Sequence, residues 1–143
     1  MFVAGFIGTP QMNFINATLE KKEDDSVYVN FEGYSLKLPH EKAVDPAIEP
    51  YIGKEVVAGI RPECIHDEPI YLSSMADSVI DVNVDVTELM GAEIYLYLSI
   101  GEQNAIARVS SRSQARAGDT IKVAVETARI HLFDKDTQQY IIH

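Results

Sequence analysis

The sequence predicts an all-β protein, a sandwich or a barrel. Two observations carry that expectation. The stretch from Val79 to Ile100 alternates apolar and polar residues with a period of two, the mark of strands with one buried and one wet face. Around it lie short apolar runs separated by turn signals, about ten strands in all. Within the central stretch, Ile80, Val82, Val84 and Val86 alternate with Asp81, Asn83, Asp85 and Thr87. The pattern breaks at Glu88–Ala92 and resumes with Ile94, Leu96, Leu98 and Ile100 against Tyr95, Tyr97 and Ser99. This reads as a long hairpin whose connection, Glu88–Ala92, holds the glycine of the reversal. Leu89 is out of phase with Val86, which predicts a bulge or bend near the turn. The remaining strands are expected to pack on the apolar face.

The other elements follow in order. In Met1–Gly8, Phe2 and Phe6, and likewise Val3 and Ile7, stand four apart, the spacing of one helix face. The segment is apolar all round and short, so such a helix must be buried. It is either the first core helix of this domain or the tail of a larger unit. Pro10 ends it. Met12–Leu19 reads as a strand, Glu20–Asp25 as a charged turn, and Val27, Val29 and Phe31 as the return. Gly33 opens a turn into a third strand, Ser35–Pro39. Pro46 and Pro50 make Ala43–Tyr51 a surface connection. Glu55–Ile60 is a strand ended by Arg61-Pro62-Glu63, because proline cannot donate to a ladder. His66–Asp77 is acidic and irregular, a loop across one end or a link between two lobes. After the central hairpin come a turn at Gly101–Asn104, a strand at Ala105–Val109, and a polar stretch, Ser110–Ala117. A turn at Gly118-Asp119 precedes the strand containing Ile121, Val123 and Val125. Arg129–Phe133 and Tyr140–Ile142 close the chain.

Composition narrows the function classes. The chain has 143 residues, 46% hydrophobic and 24% charged, ordinary for a soluble domain with a real core. Its formal net charge of −10 repels phosphate backbones and anionic membranes. Cys64 is the one cysteine, so no internal disulfide forms and a reducing, cytosolic setting is expected. No apolar run approaches the roughly 18 residues of a membrane span, and the N-terminus lacks the pattern of a secretory signal.

No reaction chemistry emerges from the motifs. Gly53-Lys54 is followed by Glu55 rather than Ser or Thr, so the segment is not a phosphate-cradling loop. Glu63, Cys64, His66, Asp67 and Glu68 are metal-ligand types in one loose cluster, without the second spaced pair that zinc usually takes. There is no GxSxG nucleophile elbow. Arg108, Arg112 and Arg116 recur every four residues. They would form a stripe on a helix, but Arg108 falls at a strand end, and a small anion or acidic partner is the functional alternative to a solvated loop. Tyr95 and Tyr97 would stack single-stranded bases if their face were open, but the facing Asp81 and Asp85 argue against that.

One resemblance joins the motifs. Phe2–Pro10 with Met12-Asn13-Phe14, Gly59-Ile60-Arg61-Pro62-Glu63, Glu88-Leu89-Met90-Gly91, Gly118-Asp119 and His131-Leu132-Phe133-Asp134 occur in that order. Together they resemble the C-terminal regulatory domain of ATP-binding subunits of carbohydrate ABC importers, of the maltose/multiple-sugar type. The resemblance implies an OB-like β-barrel with additional TOBE-type strands and a short N-terminal helix. It implies that 1–10 is the end of an ATPase domain and 11–143 the regulatory domain. It implies no catalytic, metal or cofactor residue here, with ATP and magnesium held by an upstream domain. The implied partners are a second copy, the chain's own ATPase domain, through it the membrane subunits, and a regulatory protein, but no nucleic acid. The implied location is the cytoplasmic face of the cell membrane. Candidate interface residues are Arg61, Pro62 and Glu63, and Glu88, Met90, Gly91, Tyr95 and Tyr97 of the hairpin. A small-ligand module for a sugar or oxyanion and a single-strand-binding barrel are the rival readings.

Overall fold

The computed structural model describes residues 11–143. The helix expected at Met1–Gly8 and the domain division at residue 10 lie outside the described residues. The rest is mostly β, an OB-like barrel with additional strands, and its helices are short.

Two antiparallel sheets share one core. The first contains β1 (Asn13–Lys21), β2 (Val27–Phe31), β3 (Tyr34–Lys37), β4 (Glu55–Ile60), β10 (His131–Asp134) and β11 (Tyr140–Ile142), in the order β11-β10-β4-β1-β2-β3. The second contains β5 (Ile65–His66), β6 (Val79–Met90), β7 (Glu93–Ile100), β8 (Gln103–Ser110) and β9 (Thr120–Val125), in the order β5-β9-β6-β7-β8. Alternation places Ile15, Leu19, Val27, Val29, Val82, Leu96 and Leu98 inside one continuous cluster. The final strands return to the first sheet, where His131 pairs with Gly59 and Asp134 with Val56.

The seam between the sheets is made by amide side chains. Asn13 on β1 is buried. Its Nδ2 donates to the Ile106 carbonyl at 2.9 Å and its Oδ1 accepts from the Ile106 N–H at 2.8 Å. Gln103 on β8 does the converse. Its Oε1 accepts from the Asn16 N–H at 2.8 Å and its Nε2 donates to the Asn16 carbonyl at 2.9 Å. Each amide supplies one donor and one acceptor, as a facing strand residue would. The Glu32 carboxylate extends the seam by accepting from the Glu102 N–H and from Gln103. At the other side the Tyr34 hydroxyl donates to the Asp81 carbonyl at 3.0 Å.

The central hairpin exists with a tighter turn than expected. β6 runs to Met90 and pairs with Glu93, so only Gly91 and Ala92 lie in the turn. Gly91 has φ +69°, a left-handed conformation that glycine adopts without cost. The bulge falls between Val84 and Val86, not at Leu89. Asp85 is the extra residue, and it throws Val86 out of phase. Val86 therefore pairs with Tyr97, on the face opposite Val84 and Leu98, and is 53% exposed.

The connections hold more structure than their composition suggests. Ala43–Tyr51 is not a bare surface link. The short helix α1 (His40–Ala43) leads into a 3-10 segment, Pro46–Tyr51, whose Ile48 is fully buried. Asp45 caps that segment by accepting from the Ala47 N–H at 2.9 Å. The acidic stretch after β5 forms α2 (Pro69–Ser74) and a 3-10 turn, Ala76–Ser78, within one structure rather than a tether between lobes.

Asp134 ties the 3-10 segment to β10. It accepts from the Tyr51 hydroxyl at 2.6 Å and from the N–H groups of Asp136 and Thr137. The hydroxyl first, and then the two N–H groups, hold its carboxyl at about 2 against the usual 3.8. A depressed carboxyl stabilises the fold fully above the usual value and loses that contribution as pH falls through about 2. Urea unfolding at a series of acidic pH values will therefore show a shallower loss of stability over that window in Tyr51→Phe. The seam is tested by Asn13→Leu, which strands a buried N–H and a buried carbonyl. The expected cost is about 2–4 kcal/mol in urea unfolding, while the more exposed Gln103→Ala costs roughly 1 kcal/mol.

Candidate functional site

The Gly59–Glu63 segment is built one residue at a time. Gly59 lies under Met12 and Phe133. A Cβ there would meet Met12 Sδ and would approach Phe133 Cε2 to 2.7 Å, so close approach, not backbone conformation, requires the glycine. Ile60 is in the core. Arg61 stands on the outward row and makes no ion pair among the described residues. Pro62 is buried and opens a 3-10 turn, Pro62–Cys64. Glu63 then reaches Arg108 on β8 at 3.8 Å.

Arg108 joins this corner to the hairpin. Its Nε lies 3.3 Å from the Glu93 carboxylate, at the start of β7. One guanidinium thus holds Glu63 and the turn end of the hairpin together. Along the hairpin, the Tyr97 hydroxyl donates to Glu88 at 2.8 Å, and that bond raises the Tyr97 pKa. Ser99 donates to Asp85 at 2.5 Å. Tyr95 corrects the expectation of an open polar face: only 6% of it is exposed. Leu89 at 70% and Met90 at 43% are exposed, as is Val86. Leu89 and Met90 make the tip of this acidic ribbon apolar on its two faces, and Val86 lies on Met90's face.

The structure thus brings Glu63 and the tip of the hairpin together through Arg108. Arg61 takes no part in that tie; on the outward face Phe14, Phe133 and Tyr140 stack. His131 sits beside these rings. Burial lowers its pKa, and Arg61, Lys42 and His143 push it the same way.

The arginine stripe does not form. Arg108 lies within β8. Arg112 follows it in a turn, and Arg116 donates to its own neighbour's carbonyl at Ala115. No group of three or more His, Cys, Asp or Glu among the described residues converges on a metal position. Cys64 is buried, and burial pushes its thiol pKa up.

Sequence reasoning missed one polar pair. His66 Nε2 lies 2.5 Å from Glu126 Oε1, and its ring stacks on Tyr71 at 3.8 Å. His66 and Tyr71 border a cleft of about 380 Å³ that also touches Glu63, Glu93 and Arg108. With Asp67 and Glu68 on the same wall, four carboxylates face one guanidinium, a poor host for an oxyanion. Residue spacing carried no signal for this, because His66 and Glu126 are 60 positions apart.

Comparison with known proteins supplies the family. Residues 8–65 match the MalK OB fold domain, and residues 58–133 match the TOBE domain. The oligosaccharides import ATP-binding protein MsmX of Bacillus subtilis is 40% identical over 138 residues, 96% of this chain and 36% of that protein. The multiple sugar-binding transport ATP-binding protein MsmK of Streptococcus mutans is 32% identical over 98% of this chain and 36% of its own length. The chain thus spans little more than a third of these relatives. The cytoplasmic molybdate-binding protein ModG, solved with molybdate bound, superposes with a TM-score of 0.63 over 84% of this chain and 94% of its own, at 16% identity, a likeness of fold alone.

The shape of Gly59 can be checked directly. Gly59→Ala is expected to cost about 1–3 kcal/mol in urea unfolding, the range for overpacking a filled position. The chain belongs to the family of MalK-type OB fold and TOBE domains of sugar ABC transporter ATP-binding proteins.

Proposed function

We propose that the chain is the non-catalytic regulatory and dimerisation domain of the ATP-binding subunit of a sugar ABC importer. In this reading it couples ATP-driven transport to subunit association and to regulation. ATP and magnesium bind an upstream ATPase domain, and this domain binds a second copy of itself. Through its own ATPase domain it is carried to the membrane subunits, on the cytoplasmic face of the cell membrane. A regulatory protein is a further partner.

The observation that carries the reading is the exposed apolar tip of the hairpin, Leu89 and Met90, with Val86 exposed on Met90's face. Exposed apolar clusters rimmed by polar groups mark interaction sites. Glu88, Met90, Gly91 and Tyr97 form the tip contact in this reading, with buried Tyr95 paired to Glu88 among them. Arg61 and Glu63 form the second contact, on the turn that buried Pro62 opens. A contact that persists while ATPase domains separate keeps them at high effective concentration, so their next encounter is effectively intramolecular.

Sedimentation of the 143-residue chain over a concentration series tests this. A monomer–dimer equilibrium is expected, with Met90→Glu weakening it by roughly tenfold or more. A monomer independent of concentration overturns the reading, as does sustained ATP hydrolysis by the pure chain.

A further inference from the structure

The outer edge of β6 is only half paired. β9 covers it from Val79 to Asn83. The Val84 N–H then donates to the Asp119 carbonyl at 2.8 Å, and the Gly118 N–H donates to the Val84 carbonyl at 2.7 Å. Beyond Val84, no described residue bonds to that side of the strand. β7 occupies the other side through Met90.

The groups left over can be counted. Main-chain bonding alternates along an antiparallel ladder, and Met90 and Glu93 flank the turn as its closing pair. Counting back, Met90, Glu88 and Val86 direct their N–H and C=O groups to β7. Thr87 and Leu89 direct theirs outward. Val84 fits the same count once Asp85 is taken as the extra residue of the bulge. The open edge therefore offers the N–H and carbonyl of Thr87 and of Leu89, a template for one more strand.

We propose that the edge from Asp85 to Met90 docks an extended segment of another protein, one that carries basic side chains alternating with apolar ones. Charge selects that partner. Asp85 and Glu88 are exposed along the open part of β6, on a chain of net charge −10. A second copy laid edge to edge brings like charges within cross-strand reach, which is destabilising. The bulge at Asp85 adds to that rejection. A strand with Lys or Arg on the face it shares with Asp85 and Glu88 meets opposite charge there, while its apolar residues, on the other face, cover Leu89. Edge addition uses main-chain groups rather than the outward face of the hairpin. The proposal therefore stands whether or not the tip also contacts a second copy.

The probe is a short blocked peptide of alternating Lys and Val, titrated into the isotopically labelled chain and followed by NMR. Saturable shifts confined to Asp85–Met90 are expected, with amide exchange at Thr87 and Leu89 slowed roughly tenfold or more. Thr87→Pro removes an outward N–H but no bond to β7, a position where proline is tolerated. It is expected to weaken peptide binding roughly tenfold while the other hairpin resonances persist. Asp85→Lys, a surface change that leaves the backbone intact, is expected to weaken binding as well. Equal binding of a Glu/Val peptide overturns the proposal, as does wild-type affinity in both variants. Concentration-dependent protection of Thr87 and Leu89 in the chain alone assigns the edge to a second copy and overturns it too.

Discussion

Two side-chain amides hold the sheets in register. Asn13 completes the main chain of Ile106, and Gln103 completes that of Asn16. Without them β1 and β8 would face each other across a gap, with main-chain groups unpaired at a partly buried seam, a costly arrangement. The exchange is reciprocal, so it also sets where one strand lies along the other. A shift by one residue would break both pairs and turn each alternating face inside out. The core positions of both sheets depend on that registration.

Much of the architecture was legible because alternation is a direct readout of sheet faces. Ile80, Val82 and Val84, and again Leu96, Leu98 and Ile100, sit where the period of two puts them. The bulge was legible only in part. Leu89 announced a change of phase, but the extra residue is Asp85, held where β9 gives way to the Gly118-Asp119 turn. That choice belongs to a neighbouring strand, not to the local sequence. The seam was illegible for a different reason. Asn13, Asn16 and Gln103 look like wet-face residues, and nothing local distinguishes an amide facing water from one facing another strand's backbone.

The candidate surface divides along the same line. Glycine in the Gly59–Glu63 motif turned out to be a packing requirement under Met12 and Phe133. Arg108, read first as part of a stripe, is a tie between Glu63 and Glu93. Tyr95 looked like a platform and is buried. Burial, tertiary pairing and ion-pair choice are decided by residues far apart in sequence, so a linear reading finds the residue types without their duties. The overlapping family matches at 58–65 make a related point. β4 crosses that overlap and pairs with both β1 and β10, so the two named portions share a strand and a core.

The seam also bears on how the chain reaches its shape. Asn13 and Ile106 are 93 positions apart, and Asn16 and Gln103 are 87. Pairings this distant incur the loop-closure cost before they give any return, which slows folding. On a ribosome, the first strand waits for most of the polypeptide to emerge before its amide finds the backbone it completes. Until then that strand has an unfinished flank, and newly made chains are most vulnerable to mispairing at that stage of synthesis.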